Sequence, residues 1–351
     1  MATDQPAAQQ DAWIALTAEA VIDPGLPICD AHHHLWRDTG HTGWPYLLED
    51  LHRDTGAGHN VVQTVFLECH AEYRQSGPEH LRSVGEVAFV AESAERSAQT
   101  ENATIAAIIG NADVSLGDAV EVVLDALEEA GRGRFRGIRY STAQDTHPPL
   151  KMRESASMDD PAYLQGVRRV GALGYSYDAM VYHPQLLELV DVARACPDTP
   201  IIINHLGCIL GTGPYKDQRE DILADWRAAM AALAACPNTY LKLGGIGMPM
   251  MGFRWDKQAR PPTSEELVAP WREPIGYVID QFGAERCLFE SNYPVDKRGA
   301  GYVVLWNAFK RATSDYTSED RLNLFHNTAA RAYRINLAPM TNLEMARSRQ
   351  Q

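Results

Sequence analysis

Paired cysteines, positive charge and long apolar runs are all scarce in this 351-residue chain. The six cysteines (Cys29, Cys69, Cys196, Cys208, Cys236 and Cys287) are scattered, with no Cys-x-x-Cys among them. That spacing argues against a zinc ribbon or a disulfide frame and predicts buried, reduced thiols. Lysine and arginine total 32 against 46 aspartates and glutamates, a formal charge of −14. Such an excess argues against a nucleic-acid partner or an anionic membrane surface. No stretch approaches the ~20 continuous apolar residues that span a bilayer. Residues Met1–Gln10 are polar, without the basic start and apolar core of a signal peptide. These absences predict a soluble cytoplasmic protein acting on a small molecule. No G-x-G-x-x-G turn follows the first strand signal, and neither an internal repeat nor a long linker is visible.

What is present is alternation. Short apolar runs, taken as strands, begin at Leu26-Pro27-Ile28-Cys29 and recur at Val61–His70, Thr104–Ile109, Phe135–Tyr140, Tyr177–Tyr182, Ile201–His205, Thr239–Leu243 and Arg286–Asn292. Between them lie segments with helical apolar spacing: Leu81–Ala98, Leu116–Ala130, Pro161–Leu173, Pro184–Ala195, Glu220–Ala235 and Ser264–Phe282. Val303–Thr313 and Ser318–Tyr333 close the chain. Eight strand signals, most followed by a helical segment, predict a single-domain α/β protein, a (β/α)8 TIM barrel. A doubly wound open sheet is the alternative. The barrel is expected over residues 26–340, after an extension at 1–25 and before a tail at 341–351.

Chemistry in such barrels sits at the C-terminal strand ends. The first strand runs into Asp30-Ala31-His32-His33-His34-Leu35-Trp36. Alternation puts His32 and His34 on one side and His33 on the other. Two imidazoles on one side can hold one metal ion; a polar loop of solvated histidines is the plainer reading. The remaining ends supply Glu68 and His70, then His183, His205, and finally Glu290 and Asn292. Scattered surface histidines would not fall at so many strand ends.

These residues resemble the amidohydrolase superfamily, in its branch of lactonases and decarboxylases. The likeness rests on the His-x-His of Asp30–His34, on His183, on Asn204-His205-Leu206-Gly207, on Ser291-Asn292-Tyr293-Pro294 and on the closing segment Asn327–Tyr333. It implies a barrel with one or two divalent ions. Family hydrolases usually carry an aspartate where this chain has Asn292, and a neutral amide is no general base. Glu290, Asp296 or a bound water is the alternative base. Glu68 is an addition: facing inward it could bridge two metals, with His70 beside it, or it could pair with Arg74 or Arg139. No lysine ends the fourth strand, which argues against a carbamylated-lysine bridge. Arg139 there could take a substrate carboxylate in bidentate fashion.

Two main reactions and two lesser readings follow. One main reading is an O2-dependent hydroxylase, a dinuclear iron or iron–manganese monooxygenase as in a small offshoot of this fold. It uses His32, His34, Glu68, His70, His183 and His205 as ligands and a reductase or redox partner as electron source. The other is a hydrolase that opens a lactone or amide with metal-activated water, zinc being the alternative metal. A decarboxylase and a non-catalytic sister subunit are the lesser readings. The resemblance permits both main reactions, and the missing aspartate together with the extra ligand candidates ranks hydroxylation slightly first, with Asn292, Glu290 and Arg139 as catalytic groups. A homo- or hetero-oligomer is expected, with residues 1–25 as a candidate arm onto another subunit.

Overall fold

The structure, a computed structural model, describes residues 7–38, 42–150 and 156–336. The predicted tail at 341–351 lies outside the described residues. Eight strands form one parallel sheet in chain order. They are β1 (Pro27–His33), β2 (Asn60–Leu67), β3 (Thr104–Gly110), β4 (Phe135–Ser141), β5 (Ser176–Met180), β6 (Ile201–Ile203), β7 (Thr239–Leu243) and β8 (Cys287–Phe289). The ring closes where β1 meets the segment after β8. Asn292 N donates to His32 O at 2.9 Å and His34 N to Tyr293 O at 2.8 Å, and His33 and Tyr293 form a parallel bridge. The expected (β/α)8 barrel is what folds.

The helices are α1 (Ala7–Ile14), α2 (Leu48–Thr55), α3 (Val84–Ser97), α4 (Val120–Gly131), α5 (Pro161–Ala172), α6 (Leu186–Ala195) and α7 (Arg219–Ala234). They continue with α8 (Ser264–Val268), α9 (Arg272–Phe282), α10 (Tyr302–Ala312), α11 (Ser318–Leu322) and α12 (Thr328–Ala332). Two differ from the sequence reading. The expected helix 264–282 is broken between α8 and α9 at Pro270, which has no N–H to give and whose ring collides with the preceding turn. The expected helix 318–333 is interrupted by a π-turn over Asn323–Asn327.

Alternation divides the core in two. Ile28, Phe66, Ile108, Ile138, Ile203, Leu241 and Phe289 pack in the large cluster under the helices. Cys29, Ala31, Val65, Leu67, Ala107, Ile109, Ile202 and Leu288 form a second cluster, met by Ala329, Ala330 and Tyr333 of the closing segment. Fully buried strands of a parallel barrel are apolar on both faces, so the charged residues inside these strands, Asp30, Asp178 and Lys242, need partners.

Residues 7–25 pack on their own barrel. Trp13 Nε1 donates to Gln258 O at 3.0 Å and Thr17 Oγ1 to Pro261 O at 2.8 Å. Glu19 accepts from Ser264 N and from Asn307, and Lys310 Nζ reaches Asp23 O at 2.8 Å. Among the described residues no helix is long and apolar enough to cross a membrane.

Candidate metal centre

Every expected site residue lies at the C-terminal rim, and most sit just past the strand rather than in it. His70, His205 and Asn292 have left-handed backbone, with φ of 62°, 55° and 53°. The chain turns sharply there and aims side chains across the mouth instead of along the strand. Gly244 and Gly245, after β7, leave room for this. A Cβ on Gly244 would stand 2.3 Å from Glu290 Cγ, and one on Gly245, at φ 69°, would stand 2.7 Å from His205 Cβ.

Three residues gather around His32: His34, His205 and Glu290. His32 Nε2 and His34 Nε2 face each other at 3.1 Å. His34 Nδ1 is 2.8 Å from the carbonyl oxygen of Leu67, so Nδ1 carries the proton and donates, and His34 Nε2 presents a lone pair. His32 Nδ1 stands 2.7 Å from Glu290 Oε2 and 3.3 Å from Lys242 Nζ; with its proton on Nδ1, toward the nearer carboxylate, the ring keeps its lone pair on Nε2. Burial, then the charge of Lys242, hold the His32 pKa well below its ordinary value, so the ring is neutral. His205 Nδ1 donates to Glu290 Oε1 at 2.6 Å, and its backbone N–H reaches the same oxygen at 3.2 Å. Glu290 thus touches two imidazoles, whose ring centroids are 4.6 Å apart. His32, His205 and Glu290 each offer a donor atom within 4.8 Å of the others, the one such group of three among the described residues.

The set suits a divalent ion. Bonds of about 2.1 Å put neighbouring donor atoms about 3.0 Å apart at a right angle and about 3.4 Å apart at a tetrahedral one, and the two Nε2 atoms, at 3.1 Å, lie between. A carbonyl or carboxylate on the second nitrogen fixes the ring of a metal-binding histidine, as Leu67 O does for His34 and Glu290 for His205. Glu290 Oε2, fully buried, makes no aligned hydrogen bond and keeps a lone pair for a cation.

The other expected residues are held elsewhere. Glu68 Oε1 accepts from Arg139 Nε at 2.7 Å, and Arg139 Nη2 also donates to the Glu68 carbonyl oxygen. Arg139 Nη1 faces His32 Nε2 at 3.4 Å. His70 is half exposed, 3.8 Å from Glu68 Oε2 and 3.0 Å from the Tyr73 hydroxyl. His183 Nδ1 accepts from the backbone N–H of Leu210 at 3.2 Å. Burial holds its pKa down at about 4, so the neutral ring carries its proton on Nε2. Among the described residues the gathered group of possible metal donors is His32, His205 and Glu290, and His183 is not in it. Asn292 Nδ2 donates to Asp296 Oδ1 at 2.9 Å, and Asp296 Oδ2 accepts from Gly247 N at 2.9 Å.

Sequence reasoning missed the ion cluster beneath the mouth. Lys242 Nζ donates to Asp178 Oδ1 at 2.8 Å and stands 4.0 Å from Glu290 Oε2. Asn204 Nδ2 and the Tyr333 hydroxyl donate to the same Asp178 oxygen, at 3.0 and 2.9 Å. The signal was available: a lysine in the short apolar run Thr239–Leu243 and an aspartate in Ser176–Met180.

A closed parallel barrel with imidazoles gathered at its C-terminal rim defines an amidohydrolase-fold enzyme. The chain belongs to the amidohydrolase family, whose profile, described as Amidohydrolase, matches residues 29–335. A curated relative, the uncharacterized protein y4mH of Sinorhizobium fredii, is 30% identical over 330 residues, 88% of this chain and 99% of that one. An L-fucono-1,5-lactonase of Burkholderia multivorans is 26% identical over 316 residues, 87% of this chain and 95% of its own length. Among solved structures, an amidohydrolase from Burkholderia multivorans with bound zinc superposes with a TM-score of 0.68. It is 24% identical and covers 88% of this chain and 99% of that one.

Proposed function

We propose that this protein is a metal-dependent hydrolase of lactones. The observation that carries the reading is the pair of facing Nε2 atoms of His32 and His34, 3.1 Å apart with the Leu67 carbonyl fixing one ring. In this reading His32 and His34 hold the ion, and His205 and Glu290 complete its surroundings. A divalent ion there supplies Lewis-acid polarisation and a water acidified toward neutrality. Zinc has support from the related amidohydrolase with bound zinc, and the choice of a lactone from the related L-fucono-1,5-lactonase.

The chain's own groups supply the rest. His183, neutral and protonated on Nε2, is a hydrogen-bond donor for a carbonyl or leaving-group oxygen. The Asn292 amide has its N–H side committed to Asp296, which leaves its oxygen to accept from a water. Hydroxylation at two metals is disfavoured: it needs Glu68 as a bridge, and the Arg139 guanidinium, paired with Glu68 Oε1, stands between that carboxylate and His32 Nε2.

Purified protein should carry about one equivalent of zinc or manganese and turn over sugar lactones without oxygen uptake. Replacing His32 with alanine should remove the metal and lower kcat/KM by roughly a thousandfold or more. Iron-dependent oxygen consumption by the wild type would reverse the assignment.

A further inference from the structure

Glu68 is 3% exposed, yet only one of its carboxylate oxygens is used. Oε1 takes the Arg139 Nε proton. Oε2 has no hydrogen-bond partner, the half-exposed His70 ring standing off at 3.8 Å. Buried polar atoms are almost always satisfied, and leaving a buried charged acceptor unmatched is costly. The loop carrying Glu68 is itself pinned, since Cys69 N and Ala71 N both donate to Glu86 Oε1, at 2.9 and 2.8 Å. The idle oxygen is therefore held at the mouth, one guanidinium away from His32.

A carboxylate oxygen with spare lone pairs accepts a donor, and a hydroxyl group is the donor an uncharged substrate brings. A substrate carboxylate fits badly for two reasons: it would meet the Glu68 charge, and Glu68 already occupies Arg139 Nε and Nη2. We infer that Glu68 is the residue that sets substrate charge: its free oxygen receives a hydroxyl of a neutral, hydroxylated lactone, and its hold on Arg139 turns carboxylated lactones away. The word "lactone" here rests on the hydrolase reading above; the preference for hydroxyl over carboxylate rests on Glu68 and Arg139 alone.

The test compares wild type with Glu68→Gln, which keeps the shape and removes the charge, and with Glu68→Ala, which opens the site. Substrates are galactono-γ-lactone, unsubstituted γ-butyrolactone and γ-butyrolactone-γ-carboxylate. The ratio of kcat/KM for the hydroxylated over the unsubstituted lactone should fall roughly ten- to hundredfold in either variant, the size of a lost hydrogen bond to a charged group. The carboxylated lactone should gain at least about tenfold against the hydroxylated one. Calorimetry with galactitol and glutarate reads the same preference without turnover: galactitol should weaken and glutarate tighten. If no lactone is hydrolysed, the hydrolase reading fails while this binding arm still decides the role of Glu68. Unchanged glutarate and galactitol affinities overturn the inference. So does a loss of bound metal in the glutamine variant, which would make Glu68 a ligand instead.

Discussion

On the side of the mouth formed by β1, β6 and β8, buried ionisable groups converge; on the side formed by β2, β4 and β5, they pair off. His34 meets His32 at Nε2, and Glu290 meets both His32 and His205 at their Nδ1 atoms, while Oε2 of Glu290 makes no aligned hydrogen bond. At the ends of β2 and β5, Glu68 Oε1 is matched to Arg139 and His183 Nδ1 to the backbone of Leu210. Both sides use histidine and glutamate. What separates them is what each group meets: on the first side imidazoles and a carboxylate meet one another around His32, whereas on the second the carboxylate already has a guanidinium and the imidazole a backbone N–H. In the proposed function the first side holds a cation, and the second presents charges and donors to an organic substrate.

Replacing Glu290 strikes the convergent side hardest. Glutamine at 290 can keep one contact, but not the charge that serves His205 Nδ1, His32 Nδ1 and the Lys242 ammonium. Changing a group that orients metal-binding imidazoles costs roughly ten- to hundredfold in metal affinity, and Glu290→Gln should lose at least that in competition against a chelator. Glu68→Gln, beside the convergent set but paired with Arg139, should hold metal as the wild type does. Equal losses in both variants would erase the distinction between the two sides.

The strand-end rule made the barrel and this convergent set legible, because each residue sits within three positions of a strand's end and the rule needs only the alternation of apolar runs. It could not sort ligands from donors. The tautomer of His183 depends on Leu210, 27 residues away, and the partner of Glu68 lies 71 residues away in Arg139. Lys242 and Asp178 went unread because two short buried strands looked simply apolar, although each carries a charge that is balanced from two strands away. The breaks at Pro270 and at the π-turn were hidden for a different reason: apolar periodicity runs straight through both.

Asn292 sits between the two sides and gives the next largest effect. The residue types alone suggest that Asn292→Asp would restore a hydrolytic base. The structure places the Asp296 carboxyl 2.9 Å from the Asn292 amide nitrogen, and burial has already pushed Asp296 up to about 8. Two carboxyls so close would share a proton at neutral pH, so the single variant should gain little turnover and lose stability. The double variant Asn292→Asp/Asp296→Asn reverses the hydrogen bond and leaves an ionised carboxylate at 292. With a positioned base worth roughly a hundredfold or more, kcat on lactones should rise at least about tenfold over wild type. A gain from the single variant as large as from the double would show that Asp296 does not hold its neighbour's proton.

The smallest effect belongs to Glu86, which supports the pairing side without touching it chemically. Burial, then the charge of Glu68, push its carboxyl up to about 8. Between the unfolded value near 4.5 and this folded value, the native protein keeps a proton that the unfolded chain has released. Stability from this group is therefore complete below about pH 4.5 and drains away as the pH rises toward 8. Glutamine at 86 can still accept from Cys69 N and Ala71 N and does not titrate. Glu86→Gln should match the wild type in melting temperature at about pH 5 and exceed it by a few degrees at about pH 8.5, with metal content and lactone turnover within about twofold. The gap cannot grow faster than ~1.4 kcal/mol per pH unit, the limit for one proton. A gap of the same size at both pH values would mean that Glu86 is ionised throughout, and that the loop bearing Glu68 is held by charge rather than by a neutral acid.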